Sequence, residues 1–290
     1  MPKAGTLYIV GTPIGNLSEI TPRAEETLKN ADIIAAEDTR TSSVLLSALG
    51  ISRPLMSYHK FNERSRSDEL IQLLLDGKSI ALISDAGMPC ISDPGAAAVS
   101  AAVEAGINVV GISGPCAAVL SVAVSGFDTD SFTFWGFLPR EGKKRRDAID
   151  AIKNCTSRTA VIYESPHRVQ DTVRELEEYI PGADYCICND LTKKFERIYR
   201  GNAADVLGEL RANPNAEKGE YAIVMCLPPP EEETLPNDMP LEAMLLGELM
   251  NCGLDTKAAV KNVTEKTQLP KKEVYAAMLR LKEIAEKLSE

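Results

Sequence analysis

Between residues 7 and 227, short apolar runs alternate with stretches whose apolar residues recur every three or four positions. Leu7, Tyr8, Ile9 and Val10 form the first run and stop at Gly11, which predicts a strand and a turn. Residues 21–30 then read as a helix capped by Thr21, with Pro22 at its first position. The same periodicities predict strands over 31–36, 79–83 and 108–112 and helices over 41–49, 67–75 and 94–105. Strands separated by helices of this length require crossover connections, hence an α/β domain with a largely parallel sheet. After Gly114 and Pro115 a second α/β set begins, with helices over 117–124, 147–152, 169–178 and 203–212. Its strands are predicted over 132–137, 159–163, 185–189 and 221–227.

Three prolines and three glutamates over 228–233 combine stiffness with like charge and read as an extended linker. Beyond it, residues 241–252, 255–264 and 271–288 carry apolar residues at helical spacing, with Leu269 and Pro270 marking a tight turn. That arrangement resembles a helix-turn-helix, in which Lys271, Lys272, Arg280 and Lys282 either touch phosphates or form a solvated face. The expected domains are therefore 1–116, 117–228, a linker over 229–240, and a helical domain over 241–290.

Length and composition narrow the class. The 290 residues, 44% of them hydrophobic, can bury a core for about two domains. A net charge of −10 excludes indiscriminate nucleic-acid binding, since counterion release needs clustered cations. Any RNA contact must be local, and the strongest cluster is a positive loop carrying Lys143, Lys144, Arg145 and Arg146 just after an aromatic strand. Seven cysteines with no CxxC pair fit a reducing cytosol rather than a disulfide framework or a zinc ribbon. No run approaches the roughly 18 apolar residues of a membrane span, and the first residues lack a signal-peptide pattern. A cytoplasmic protein without membrane contact is expected.

Candidate chemistry gathers in loops at predicted strand ends, where ligands bind in open parallel sheets. The loop over 11–16 has neither GxGxxG nor GxxxxGK[ST] spacing, so dinucleotide and nucleoside triphosphate binding are unsupported. The loop over 84–95 crowds Asp85, Asp93, two glycines and two prolines into one turn. Its backbone N–H groups suit a carboxylate, and Asp85 or Asp93 suits an amine, the two charged ends of a methionine moiety. Alternatively, Ser92 or Asp93 only caps a helix starting at Pro94. Ser113, Gly114, Pro115, Cys116 and Ala117 leave room for a flat ring against the backbone. The segment over 163–168 combines Glu164, His167 and Arg168, and His59 is the only other histidine. Two histidines in different predicted domains make no metal site, Cys186 and Cys188 suit strand packing, and no GxSxG elbow occurs.

Taken in order, the loops over 8–17, 36–40, 84–95, 163–168, 196–201 and 219–222 resemble the ribosomal RNA small subunit methyltransferase I family, a branch of the tetrapyrrole methylases. The resemblance spans nearly the whole chain. It implies a class III methyltransferase fold with a cleft for S-adenosylmethionine between two α/β domains, and a homodimer. It further implies 2′-O-methylation of a cytidine in the decoding region of 16S ribosomal RNA, as naked RNA or in the small subunit. Carried over by position, Gly87, Pro89, Ile91 and Ser92 surround the methionine part of the cofactor, with Cys116 and Ala117 beside it. Thr192, Glu220, Tyr221 and Ala222 lie near the adenosine, and Thr12, Pro13, Ile14 and Gly15 form a wall close to the methyl group. This chain departs from the family in having Met88 and Phe61 where threonine and histidine are usual.

A 2′-hydroxyl must lose a proton on methylation, and His59, Asp38, Glu164 and His167 are candidate bases with no order among them. Arg40 or Lys60 would orient phosphate. Two rival readings are a methylase of a tetrapyrrole or other small molecule and a non-enzymatic ribosome-assembly factor.

Overall fold

A computed structural model describes residues 4–229, 239–251, 253 and 255–289. The chain divides into two compact units, Met1–Pro229 and Pro230–Glu290. Most of the expected linker, residues 230–238, lies outside the described residues.

The first unit holds two five-stranded sheets. In the first, β1 (Thr6–Val10), β2 (Ile33–Ala36), β3 (Leu55–Ser57), β4 (Ile80–Ile83) and β5 (Asn108–Ile112) run in the order β3-β2-β4-β1-β5. Every pairing is parallel, as the crossover spacing requires. The crossovers are α1 (Pro22–Asn30), α2 (Thr39–Ala48), α3 (Glu63–Leu75) and α4 (Ala96–Glu104). Thr21 caps α1 by accepting from the Ala24 N–H at 3.1 Å. Neither Ser92 nor Asp93 caps α4: it starts at Ala96, after Gly95 with φ 135° and no side-chain cap. Strand β3 escapes the sequence pattern because three residues at a sheet edge cannot establish a period. Leu7, Leu82, Leu70 and Leu74 are fully buried on one face of this sheet, and Ile34, Leu28 and Ile83 on the other.

The second sheet is mixed. Its strands β6 (Phe132–Phe137), β7 (Thr159–Glu164), β8 (Asp184–Asn189), β9 (Arg197–Asn202) and β10 (Tyr221–Cys226) run in the order β6-β7-β10-β8-β9. Only β6 and β7 pair in parallel. Helix α5 (Ala117–Ser125) packs on one face through Ala118 and Val122. Helices α6 (Gly142–Lys153), α7 (Val169–Tyr179) and α8 (Ala203–Ala212) cover the other, over Ile162, Tyr185, Ile187 and Ile223. Strand β9 was not predicted: it is an edge strand whose Arg197, Arg200 and Asn202 leave no clean alternation.

The expected positive loop over 143–146 is instead the first turn of α6. Lys143, Lys144 and Arg146 are exposed, whereas Arg145 is 6% exposed. Its guanidinium pairs with Glu175 at 2.6 Å and donates to the Pro139 carbonyl and the Thr172 hydroxyl, both at 2.9 Å. Arg145 is therefore corrected from an RNA contact to a tie between α6 and α7, because a helical period turns one residue of a basic run inward.

In the second unit, α9 (Leu241–Asn251), α10 (Thr256–Thr267) and α11 (Lys271–Ser289) enclose Leu245, Val260, Val263, Val274 and Met278. Asp255 caps α10, and Gln268 ends it in a left-handed conformation. No described helix is long and apolar enough to cross a membrane.

Candidate active site

Because all five strands of the first sheet are parallel, the loops that leave their carboxyl ends share one edge. Two contacts bind these loops together. Gly11 and Gly114 touch backbone to backbone, where an added Cβ on either would lie 2.7 Å from the other. Thr12 and Gly87 exchange backbone hydrogen bonds of 2.9 and 3.1 Å. The loop after β4 then departs from ordinary backbone, with Gly87 at φ 80°, Cys90 at 71°, Ser92 at 67° and Gly95 at 135°. Two non-glycine residues in the left-handed region cost about 1–3 kcal/mol each and survive only where surroundings hold them. Here Cys90 N–H donates to the Pro94 carbonyl at 3.3 Å, and Gly95 N–H donates to the Glu63 carboxylate at 2.9 Å.

The second sheet contributes the facing wall. Tyr221 pairs with Glu164 on one side and Asn189 on the other, so the end of β7, the start of β10 and the end of β8 lie in one row. Tyr163 packs edge-on against Phe134 and Phe137, and its hydroxyl accepts from the Ala118 N–H at the start of α5 at 3.0 Å. Burial pushes that phenol well above its ordinary range, so it stays protonated. Lys193 pairs with Asp190 at 2.8 Å and Glu220 at 3.0 Å while its aliphatic stem lies over Gly15. The Thr192 hydroxyl, on a residue at φ 71°, is buried with no partner.

Between these walls lies a cavity of about 440 Å³. Asp85, Gly87, Ile91, Ser92, Cys116 and Ala117 line it from the first set of loops, and Glu220, Tyr221 and Ala222 from the second. Apolar surface comes from Ile14, Met88, Phe137, Tyr163 and Leu191. Pro13, Pro89 and Thr192 sit in the same loops but do not reach the lining. Three acids, Glu37, Asp85 and Asp93, share one corner. Burial, followed by the neighbouring Glu37 charge, raises the Asp93 carboxyl to about 6. Burial, then Asp85, also raises Glu37. A corner of crowded carboxylates beside apolar walls suits a cationic group on an otherwise flat, apolar molecule.

The four candidate bases fare unequally. Asp38 does not line the cavity: it caps α2 and grips Arg40, whose hydrogen bonds lower its carboxyl to about 2. Glu164 lines the cavity, but its buried carboxylate accepts from the Ser165 N–H and the Thr172 hydroxyl, both at 2.7 Å, and pairs with Arg168 at 2.5 Å. Three donors, one of them a guanidinium, therefore already occupy this carboxylate. The His59 Nε2 accepts from the Asn62 amide at 3.3 Å, which leaves its ring proton on a buried, unpartnered Nδ1. His167 is exposed and outside the lining. Arg40 and Lys60 are both exposed, after β2 and β3. The sequence places Glu37 in a ligand-side loop but gives it no site role, nor one to the wall residues Phe137 and Leu191.

A model of the Tetrapyrrole (Corrin/Porphyrin) Methylases matches residues 6–207. A Halalkalibacterium halodurans protein named ribosomal RNA small subunit methyltransferase I is 40% identical over 275 residues, which cover 93% of each chain. One of the same name from Escherichia coli O157:H7 is 39% identical over 272 residues, again 93% of each. Among solved structures, uroporphyrin III C-methyltransferase from Thermus thermophilus complexed with S-adenosylhomocysteine matches with a TM-score of 0.53 at 16% identity, over 76% of this chain and 97% of that one. Diphthine synthase matches with a TM-score of 0.59 at 12% identity, over 77% and 90%. At these identities the two structures establish the fold alone.

Proposed function

The chain belongs to the tetrapyrrole methylase family and has its class III methyltransferase fold, and from that premise we propose that it transfers a methyl group from S-adenosylmethionine to 16S ribosomal RNA, at the 2′-oxygen of a cytidine in the decoding region. The observation that carries the substrate is the identity near 40% with small subunit rRNA methyltransferases along almost the full length of both chains. The methylases named for tetrapyrroles resemble it only at fold level, so a small-molecule substrate is the weaker reading.

The cavity's chemistry supports this donor. Gly87 leaves a cradle in which a Cβ would meet Ile14 at 3.2 Å and the Pro115 carbonyl at 3.5 Å. Gly87, Ile91 and Ser92 would hold the methionine part with Asp85, Cys116 and Ala117 beside it. Tyr221, Ala222 and Glu220 would hold the adenosine, and Thr192, outside the lining, would act through the shape of its loop. Pro13 and Pro89 would act by shaping their loops. The donor supplies an electrophilic methyl group; the protein supplies position, a dry apolar wall and a place for the departing proton.

Exposed Arg40, Lys60, Lys143, Lys144 and Arg146 are the candidate phosphate contacts. Met88 lines the cavity in place of the family's threonine, which makes the donor pocket more apolar there. The family resemblance supports a cytoplasmic homodimer, and sedimentation tests the dimer. The decisive experiment supplies labelled S-adenosylmethionine and small subunits from cells lacking this protein, then maps the product by mass. One methylated cytidine ribose is expected; RNA binding with no transfer would favour the assembly-factor reading.

A further inference from the structure

We infer that Glu37, at the carboxyl end of β2, is the group that removes the proton from the ribose 2′-hydroxyl. This rests on the rRNA reading above and names a residue for its chemistry.

The carboxylates that line the cavity are Glu37, Asp85, Asp93, Glu164 and Glu220, and Glu220 pairs with Lys193 at 3.0 Å. Glu164 already holds three donors, Ser165, Thr172 and the Arg168 guanidinium. Asp85 accepts from the Asp38 N–H at 3.1 Å, and Asp93 lies beside Ser84 at the base of the β4 loop. Glu37 lies by the Asp85 backbone N–H and, like Asp85 and Asp93, keeps accepting capacity toward the cavity, so its position separates it from them.

Position points the same way. In the order β3-β2-β4-β1-β5, the β2 end lies on the side of the cavity away from β5 and the α5 start, where Cys116 and Ala117 are. Exposed Arg40 and Lys60 follow β2 and β3 on that same side, and an RNA backbone held by them would place its sugar nearest the β2 end, where Glu37 is. The groups facing Glu37 are Asp85, Asp93, Asp38 and His59. Burial and the Asp85 charge raise its carboxyl above the ordinary value, which makes it a better proton acceptor than Asp38, held near 2 by Arg40. The bookkeeping of the step is simple: the 2′-oxygen gains a bond to the methyl carbon, the S–C pair stays on sulfur, and the hydroxyl proton moves to Glu37.

The test uses the full chain with Glu37→Gln and Glu37→Asp, small subunits lacking the modification, and S-adenosylmethionine. Calorimetry reads donor affinity; single-turnover transfer at saturating donor, followed across pH, reads the chemical step. At saturating donor, Glu37→Gln should lose about 100-fold or more in transfer rate, well beyond any loss in donor affinity, and lose the acid limb of the pH profile. Glu37→Asp should recover part of the rate with that limb displaced. Equal rates in wild type and Glu37→Gln at saturating donor, or an acid limb that persists in Glu37→Gln, would overturn the assignment. A wild-type chain that binds donor yet never methylates small subunits would instead remove the substrate reading, and the base with it.

Discussion

Asp93 shows how a single carboxyl couples folding to ligand binding. Its folded value of about 6 lies above its ordinary 3.8 because burial and the Glu37 charge both disfavour ionisation. The native state therefore binds that proton more tightly than the unfolded chain, so this group's contribution to stability declines as pH rises from about 4 to about 6. A cationic ligand has the opposite preference. Donor affinity should strengthen as pH rises through 6, and Asp93→Asn should flatten that rise; calorimetry at pH 5 and 7.5 checks both. Gly114 makes a purely steric prediction. A Cβ there would sit 2.7 Å from Gly11 backbone atoms, which cannot yield as a side-chain tip would. Gly114→Ala should separate the loops after β1 and β5 and weaken donor binding at least tenfold, a loss of about 1.4 kcal/mol; an unchanged affinity would show that the loop spacing is not needed.

Helices α6 and α7 and strand β7 are joined by one polar chain. Glu175 pairs with Arg145, Arg145 donates to the Thr172 hydroxyl, Thr172 donates to Glu164, and Glu164 pairs with Arg168. Thr172 is the relay between two buried charges, and valine has its shape without its hydrogen bonds. Thr172→Val should lower unfolding stability by about 1–3 kcal/mol, the usual cost of stranding a buried polar partner, measurable by urea titration. Along α6 the basic run divides by helical phase. Arg145→Ala should destabilise the fold, whereas the triple Lys143→Ala, Lys144→Ala, Arg146→Ala variant should keep its stability and bind small subunits with a shallower salt dependence. A triple variant with unaltered salt dependence would remove this helix turn from the RNA surface.

At the scale of the molecule, the compact unit ending at Pro229 contains both sheets and every cavity residue, while the three C-terminal helices have their own apolar cluster. Removing residues 230–290 should leave donor binding intact and abolish methylation of small subunits; retained methylation would show that the helices are dispensable for the substrate. What the sequence determined is the local part. Thr21 with Pro22 starts α1, crossover spacing made the first sheet parallel, and the order of strand-end loops marked the family and most of the cavity lining. What only the tertiary structure decided is which way side chains face and what they meet. Asp38 and Glu37 are neighbours in sequence, yet one caps a helix and grips Arg40 while the other lines the cavity. Glu164 and Arg145 read as free charges until α6, α7 and β7 pack and supply each with three partners. Periodicity is set by covalent geometry and is written along the chain; a carboxylate's partners and its desolvation come from segments far apart in sequence, so they exist only once those segments meet.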